Sequence, residues 1–154
     1  MAMVADRRYS SCGIYTLEIG VWHEIFCAKA MRVLIADDQK SVGTSLAELV
    51  GCCNHEVVEV VGSGLEAIQA YTQHEPDVVL TDYWMPKLNG ATACRNILAK
   101  DPSAKIILVS GWSPPDEVST LGAVTILAKP VHLERLQAAL DAAAPGPALT
   151  VVAA

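Results

Sequence analysis

Residues 77–90 read D-V-V-L-T-D-Y-W-M-P-K-L-N-G. Asp77 to Thr81 is an almost wholly apolar run leading into Asp82, and Met85-Pro86 with Asn89-Gly90 marks a loop. A strand without a polar face belongs in the middle of a parallel sheet, where helices cover both sides. Ala91, Cys94, Ile97 and Leu98 then recur at helical spacing, so the stretch predicts a strand, a loop and a helix in succession.

The same alternation extends in both directions. Before it, Arg32-Val33-Leu34-Ile35-Ala36 is a short apolar run ending in Asp37-Asp38, and Val42, Leu46, Leu49 and Val50 make a helical stripe that Gly51 stops. Glu56 to Val61 (E-V-V-E-V-V) is rich in β-branched residues, and Ser63-Gly64-Leu65-Glu66 reads as a capping box opening a helix to about Gln73. After it, Lys105 to Val109 forms a strand ending at Ser110, and a short helix is expected from Pro114-Pro115 to about Leu121, where Gly122 is a stop. Val124 to Leu127 supplies a fifth strand, and Leu133, Leu136 and Leu140 form the apolar stripe of a last helix. Five strand–helix units in sequence predict an α/β domain with a parallel sheet covered by helices.

Residues 31–141 hold this pattern. Residues 1–30 carry Tyr9, Tyr15, Trp22 and Phe26 without a sustained period, and are expected to be a weakly ordered extension or the product of a misplaced start site, with Met31 as the true start. Residues 142–154 are expected to be a flexible tail. Lys plus Arg number 11 against 17 Asp plus Glu, a net charge of -6, which argues against a direct grip on nucleic acid or an anionic membrane. The longest apolar runs, such as Ile106-Ile107-Leu108-Val109, have strand length rather than the roughly 20 residues of a membrane span. Five cysteines without C-x-x-C spacing predict reduced thiols in a cytoplasm, and four scattered histidines give little support to zinc or to Cys/His catalysis.

In a parallel α/β sheet, ligands bind beyond the carboxyl ends of the strands. Asp37 and Asp38 end the first strand, Asp82 the third and Ser110 the fourth, while Lys129-Pro130 follows the fifth. Carboxylates crowded at such an edge repel by about 4 kcal/mol per pair at roughly 4 Å and an effective dielectric near 20. A hard divalent cation such as Mg²⁺ compensates them and leaves room for a phosphoryl oxygen. Lys129 adds a mobile positive charge and Ser110 a hydroxyl donor, so the set suits phosphoryl transfer onto a carboxylate. Taken singly, Asp38 or Ser110 is as readily a cap for the helix that follows it.

From Met31 to about Leu140 the chain resembles the response-regulator receiver domain of two-component signalling, similar to stand-alone chemotaxis-type regulators. The resemblance rests on Asp37-Asp38, the stretch from Asp82 to Gly90, Ser110-Gly111, and L-G-A-x-x-x-L-A-K-P from Leu121 to Pro130. It implies a flavodoxin-like, doubly wound (βα)5 fold with strand order 2-1-3-4-5. By the same resemblance Asp82 would be the phospho-accepting nucleophile. Asp37, Asp38 and Asp82 would bind Mg²⁺ with the backbone carbonyl of Trp84, Ser110 would hydrogen-bond the phosphoryl group, Lys129 would pair with it, and the Lys129-Pro130 bond would be cis. The implied partners are a sensor histidine kinase or phosphotransfer protein and a downstream effector protein; a homodimer is compatible with it. No enzyme activity beyond self-phosphorylation and autodephosphorylation is implied.

Three departures from the family bear on function. Ile126 stands where Tyr or Phe is usual, three positions before the lysine. Ser110 to Lys129 spans 19 positions, about one helical turn short of the family norm. Trp84 and Trp112 lie two positions beyond Asp82 and Ser110, where bulk would screen an attacking water and prolong the phosphorylated state. The first two motivate an alternative, a phosphorylation-independent interaction module. An aspartyl-phosphate hydrolase of the haloacid dehalogenase type fits less well, since that family carries D-x-D on its first strand.

Overall fold

The computed structural model describes residues 30–111 and 124–144. The expected helix after Pro114-Pro115, Trp112, and nearly all of both terminal segments lie outside the described residues. The strands are β1 (Arg32–Ala36), β2 (Glu56–Val61), β3 (Val78–Asp82), β4 (Ile106–Ser110) and β5 (Val124–Ala128). The described helices are α1 (Lys40–Cys52), α2 (Gly64–His74), α3 (Gly90–Lys100) and α4 (Leu133–Ala143). All strand pairs are parallel and the order is β2-β1-β3-β4-β5. No helix among the described residues is long and apolar enough to cross a membrane.

Every residue of β3 and β4 is buried, as their unbroken apolar runs require. Because strand side chains alternate between faces, the central strands feed two separate cores. Leu34, Val79, Ile106 and Leu108 pack with Ala67 of α2 and Ile97 of α3 on one face. Val33, Leu80, Ile107 and Val109 pack with Leu46 of α1 and Leu136 of α4 on the other. Edge strand β2 is only partly covered and carries exposed Glu56 and Glu59, charges that discourage pairing with another chain.

The helix ends show how local chemistry sets the chain path. Ser63 caps α2 by accepting from the Glu66 amide at 3.3 Å. The Glu66 carboxylate reaches back past Ser63 to the Gly62 amide at 2.9 Å, a capping box displaced by one residue. At the other end of α2, Arg32 donates to the carbonyls of His74 (2.7 Å) and Glu75 (3.3 Å), satisfying acceptors that a helix terminus leaves unpaired. Asn89 caps α3 through the Thr92 amide at 2.9 Å.

Candidate functional site

Asp37 follows β1 and is almost fully buried. Its amide donates to the Val61 carbonyl at 3.0 Å, which ties it to β2. Its Oδ1 accepts from the Gln39 amide at 2.9 Å, one of the orphan donors at the start of α1. Asp38, the helix-cap candidate by sequence, stays exposed and α1 has no side-chain cap; the amide of its N-cap residue Gln39 is met instead by Asp37. The reason is backbone direction: the residue held inward at the strand end is the one that can fold over the helix entrance.

Asp82 is the last residue of β3 and is 5% exposed. Lys129, the residue after β5, extends Nζ between two carboxylates, 3.1 Å from Oδ2 of Asp37 and 3.2 Å from Oδ1 of Asp82. Its amide donates to the Ser110 carbonyl at 2.8 Å, holding it to the end of β4, and the Lys129-Pro130 peptide is cis. Ser110 itself is buried at the same edge. The sheet therefore brings Asp37, Asp82, Ser110 and Lys129 together from four strand ends.

One carboxylate oxygen from each of Asp37, Asp38 and Asp82 lies within 4.8 Å of the others. This all-oxygen, anionic donor set is what a hard cation selects; Mg²⁺ at roughly 2.1 Å per ligand reaches directly only oxygens up to about 4.2 Å apart, so a carboxylate set any wider would bind it through one of the waters the ion keeps. Burial pushes the Asp82 carboxyl up, and the charge of Asp37 adds to that; Lys129 opposes both by charge and hydrogen bonding. Burial works against the Lys129 ammonium, yet the bonds and charges of Asp37 and Asp82 hold its pKa above the usual lysine value. The pocket thus holds a buried carboxylate beside a fixed positive charge.

The loop after Asp82 is pinned at both ends. Tyr83 donates its amide to Val109 and accepts from the Gly90 amide, both at 2.9 Å. A side chain on Gly90 would run into the Asp82 carbonyl, and one on Gly64 would run into the carbonyl of Leu88, which accepts from the Gly64 amide at 3.2 Å. These two glycines place the loop; Asn89-Gly90 marks its end in the sequence, whereas the close approach of Gly64 to Leu88 has no signal there beyond a position directly after a helix cap. Trp84 sits in this loop, 62% exposed. Ile126 on β5 is partly exposed and pairs with Leu108.

Residues 33–141 match the family model described as the response regulator receiver domain. The chemotaxis protein CheY of Listeria monocytogenes is 36% identical over 117 residues, 74% of this chain and 98% of the relative. That of Thermotoga maritima is 34% identical over 113 residues, 71% and 94%. Among solved structures, the CheX-CheY-BeF3-Mg complex from Borrelia burgdorferi superposes with a TM-score of 0.68 at 26% identity, covering 72% of this chain and 87% of that one. A response regulator receiver domain protein from Clostridium thermocellum gives 0.68 at 27% identity, covering 73% and 92%. With a match that runs from β1 into α4 and relatives paired almost end to end, the chain belongs to the response regulator receiver domain family of two-component signalling.

Proposed function

We propose that this receiver accepts a phosphoryl group on Asp82 from the phosphohistidine of a sensor kinase or phosphotransfer protein, with Mg²⁺, and passes the signal to a downstream protein. The observation that carries this is the Lys129 ammonium placed between Asp37 and Asp82 at the carboxyl edge of the sheet. Asp37, Asp38 and Asp82, with the Trp84 carbonyl, would hold the metal, which when bound neutralises charge on the phosphoryl oxygens. Asp82 attacks phosphorus, the P–N bond of the donor breaks, and imidazole leaves. Lys129 then faces a group with more negative charge than the carboxylate it replaces, and Ser110 supplies a hydroxyl to a phosphoryl oxygen. The chemotaxis proteins among its relatives and the Mg²⁺-containing complex of the Borrelia protein with CheX support this reading.

Ile126 favours a second reading, a module that binds partners without phosphorylation, because an aliphatic side chain cannot replace the aromatic ring usual at that position. Incubation with Mg²⁺ and acetyl phosphate separates the two. Stoichiometric labelling that Asp82→Asn abolishes supports the acceptor, absence of labelling supports the module, and turnover of many equivalents points to a hydrolase.

A further inference from the structure

Two free thiols stand side by side where α1 ends: Cys52, its last residue, is exposed, and Cys53 is 8% exposed. Cys53 belongs to the core that holds Leu46 of α1 and Leu136 and Leu140 of α4. Its amide bonds to the carbonyls of Leu49 and Val50, each at 3.1 Å. The next amide, that of Asn54, bonds to the Gly51 carbonyl at 3.0 Å, with Asn54 in the left-handed region. These bonds close the end of α1 and fix the backbone that carries both sulfurs. One thiol is open to solvent and its neighbour borders the interior, whereas Cys94 is fully enclosed in the other core.

Geometry and ligand count select what such a pair can hold. A direct S–S bond does not suit it, because consecutive Cα atoms are about 3.8 Å apart, closer than the roughly 4.4–6.8 Å that a disulfide spans. A bridge with one atom between the sulfurs is longer and lifts that constraint. The bridging atom must be thiophilic and complete with two protein ligands, since among the described residues the three-carboxylate cluster is the only group of three or more His, Cys, Asp or Glu within metal-binding reach of one another. Zinc, which fills a structural site with four protein ligands, is not served. A trivalent organoarsenical is served, because it brings its own carbon substituent and takes two sulfurs. Burial, with nearby Cys52 and Asp141, raises the Cys53 pKa, so this sulfur carries its proton at neutral pH. Each As–OH bond exchanges for an As–S bond and the thiol proton leaves with the hydroxyl as water. Arsenic stays trivalent throughout, and the product is neutral, as a half-buried site requires.

We propose that Cys52 and Cys53 form a two-thiol binding site for trivalent organoarsenicals at the junction of α1 and β2. The site is independent of the role of Asp82. Its test is titration of the reduced full chain with phenylarsine oxide in excess glutathione, which competes away adducts held by a single sulfur, with intact mass as the readout. The wild type is expected to carry a single phenylarsenic group that 2,3-dimercaptopropanol removes. Cys52→Ser and Cys53→Ser are each expected to weaken the adduct about a hundred-fold, the low end for losing a tethered second contact, while Cys12→Ser/Cys27→Ser leaves it in place. Cys52→Ser alters an exposed side chain and keeps the fold, so its loss of binding reports the missing sulfur alone. No adduct on the wild type, an adduct unmoved by either single variant, or one that disappears in Cys12→Ser/Cys27→Ser overturns the proposal.

Discussion

At the scale of single residues, Lys129 and Asp37 each perform two tasks. Lys129 neutralises two buried carboxylates and fixes the end of β5 to that of β4. Lys129→Met removes the charge while keeping the stem, and is expected to slow Asp82 labelling by at least about ten-fold, roughly 1.4 kcal/mol of barrier; the labelling time course measures it. Asp37 joins the carboxylate cluster and accepts from the Gln39 amide at the start of α1. Asp37→Ala is expected to abolish any Mg²⁺-dependent change in tryptophan fluorescence and to cost about 1 kcal/mol of stability from the lost helix-end bond; a fluorescence titration and a urea melt read the two effects separately. If the bulk of Trp84 screens water, Trp84→Asn hastens autodephosphorylation, and equal rates would sink that idea.

At the scale of elements, the junctions between strands and helices decide behaviour. Gly90→Ala drives a methyl group against the Asp82 carbonyl and is expected to cost about 1–3 kcal/mol, as overpacking does, seen as a lowered urea midpoint. The turn from α1 to β2 carries a titration. His55 Nδ1 accepts from the Met31 amide at 3.2 Å, and burial lowers its pKa, with Asp141 partly opposing. A lowered folded value means that the stabilisation is complete above the ordinary 6.5 and is lost as pH falls through the folded value. Thermal midpoints are therefore expected to fall between about pH 7.5 and 5.5, with a shallower slope in His55→Gln, whose amide oxygen accepts without titrating.

The strands and the acidic edge were legible in the chain because their causes are local. Buried runs such as Val78–Leu80 announce a central strand, and Asp82 and Ser110 announce themselves by ending such runs, while Lys129 stands out by following the strand-like run Val124 to Leu127. What escaped reading depends on residues far apart. Arg32 closing α2 requires knowing that it lies beside His74, and Gly64 facing Leu88 requires the loop's path. Asp37 and Asp38 are adjacent, yet which of them turns inward is set by the pairing of β1 with β2.

For the whole molecule, the bond from Tyr71 to Asp101, 2.6 Å long, ties α2 to the end of α3. Burial, with Asp101's hydrogen bond and charge, raises the Tyr71 pKa, while hydrogen bonds from Ser103 and Tyr71 lower that of Asp101. Stabilisation from the raised tyrosine is complete below its ordinary 10.0 and lost as pH rises through the folded value. That from the depressed aspartate is complete above its ordinary 3.8 and lost as pH falls through the folded value. Tyr71→Phe should make both arms of a stability–pH profile shallower without abolishing either, because the buried Cys94 thiol keeps part of the alkaline arm and the Ser103 bonds to Asp101 keep part of the acid one; urea midpoints across pH would show it.

The division of the interior by the sheet has a thermodynamic consequence. Ile106 and Ile107 are neighbours in the chain but belong to opposite cores, whereas Ile107 and Leu136 share one across 28 intervening residues. In a double-mutant cycle, Ile106→Val and Ile107→Val should be additive to within about 0.5 kcal/mol, while Ile107→Val and Leu136→Val should depart from additivity by more. Energetic independence in this domain then follows which side of a strand a side chain occupies, and distance along the chain is a poor guide to it.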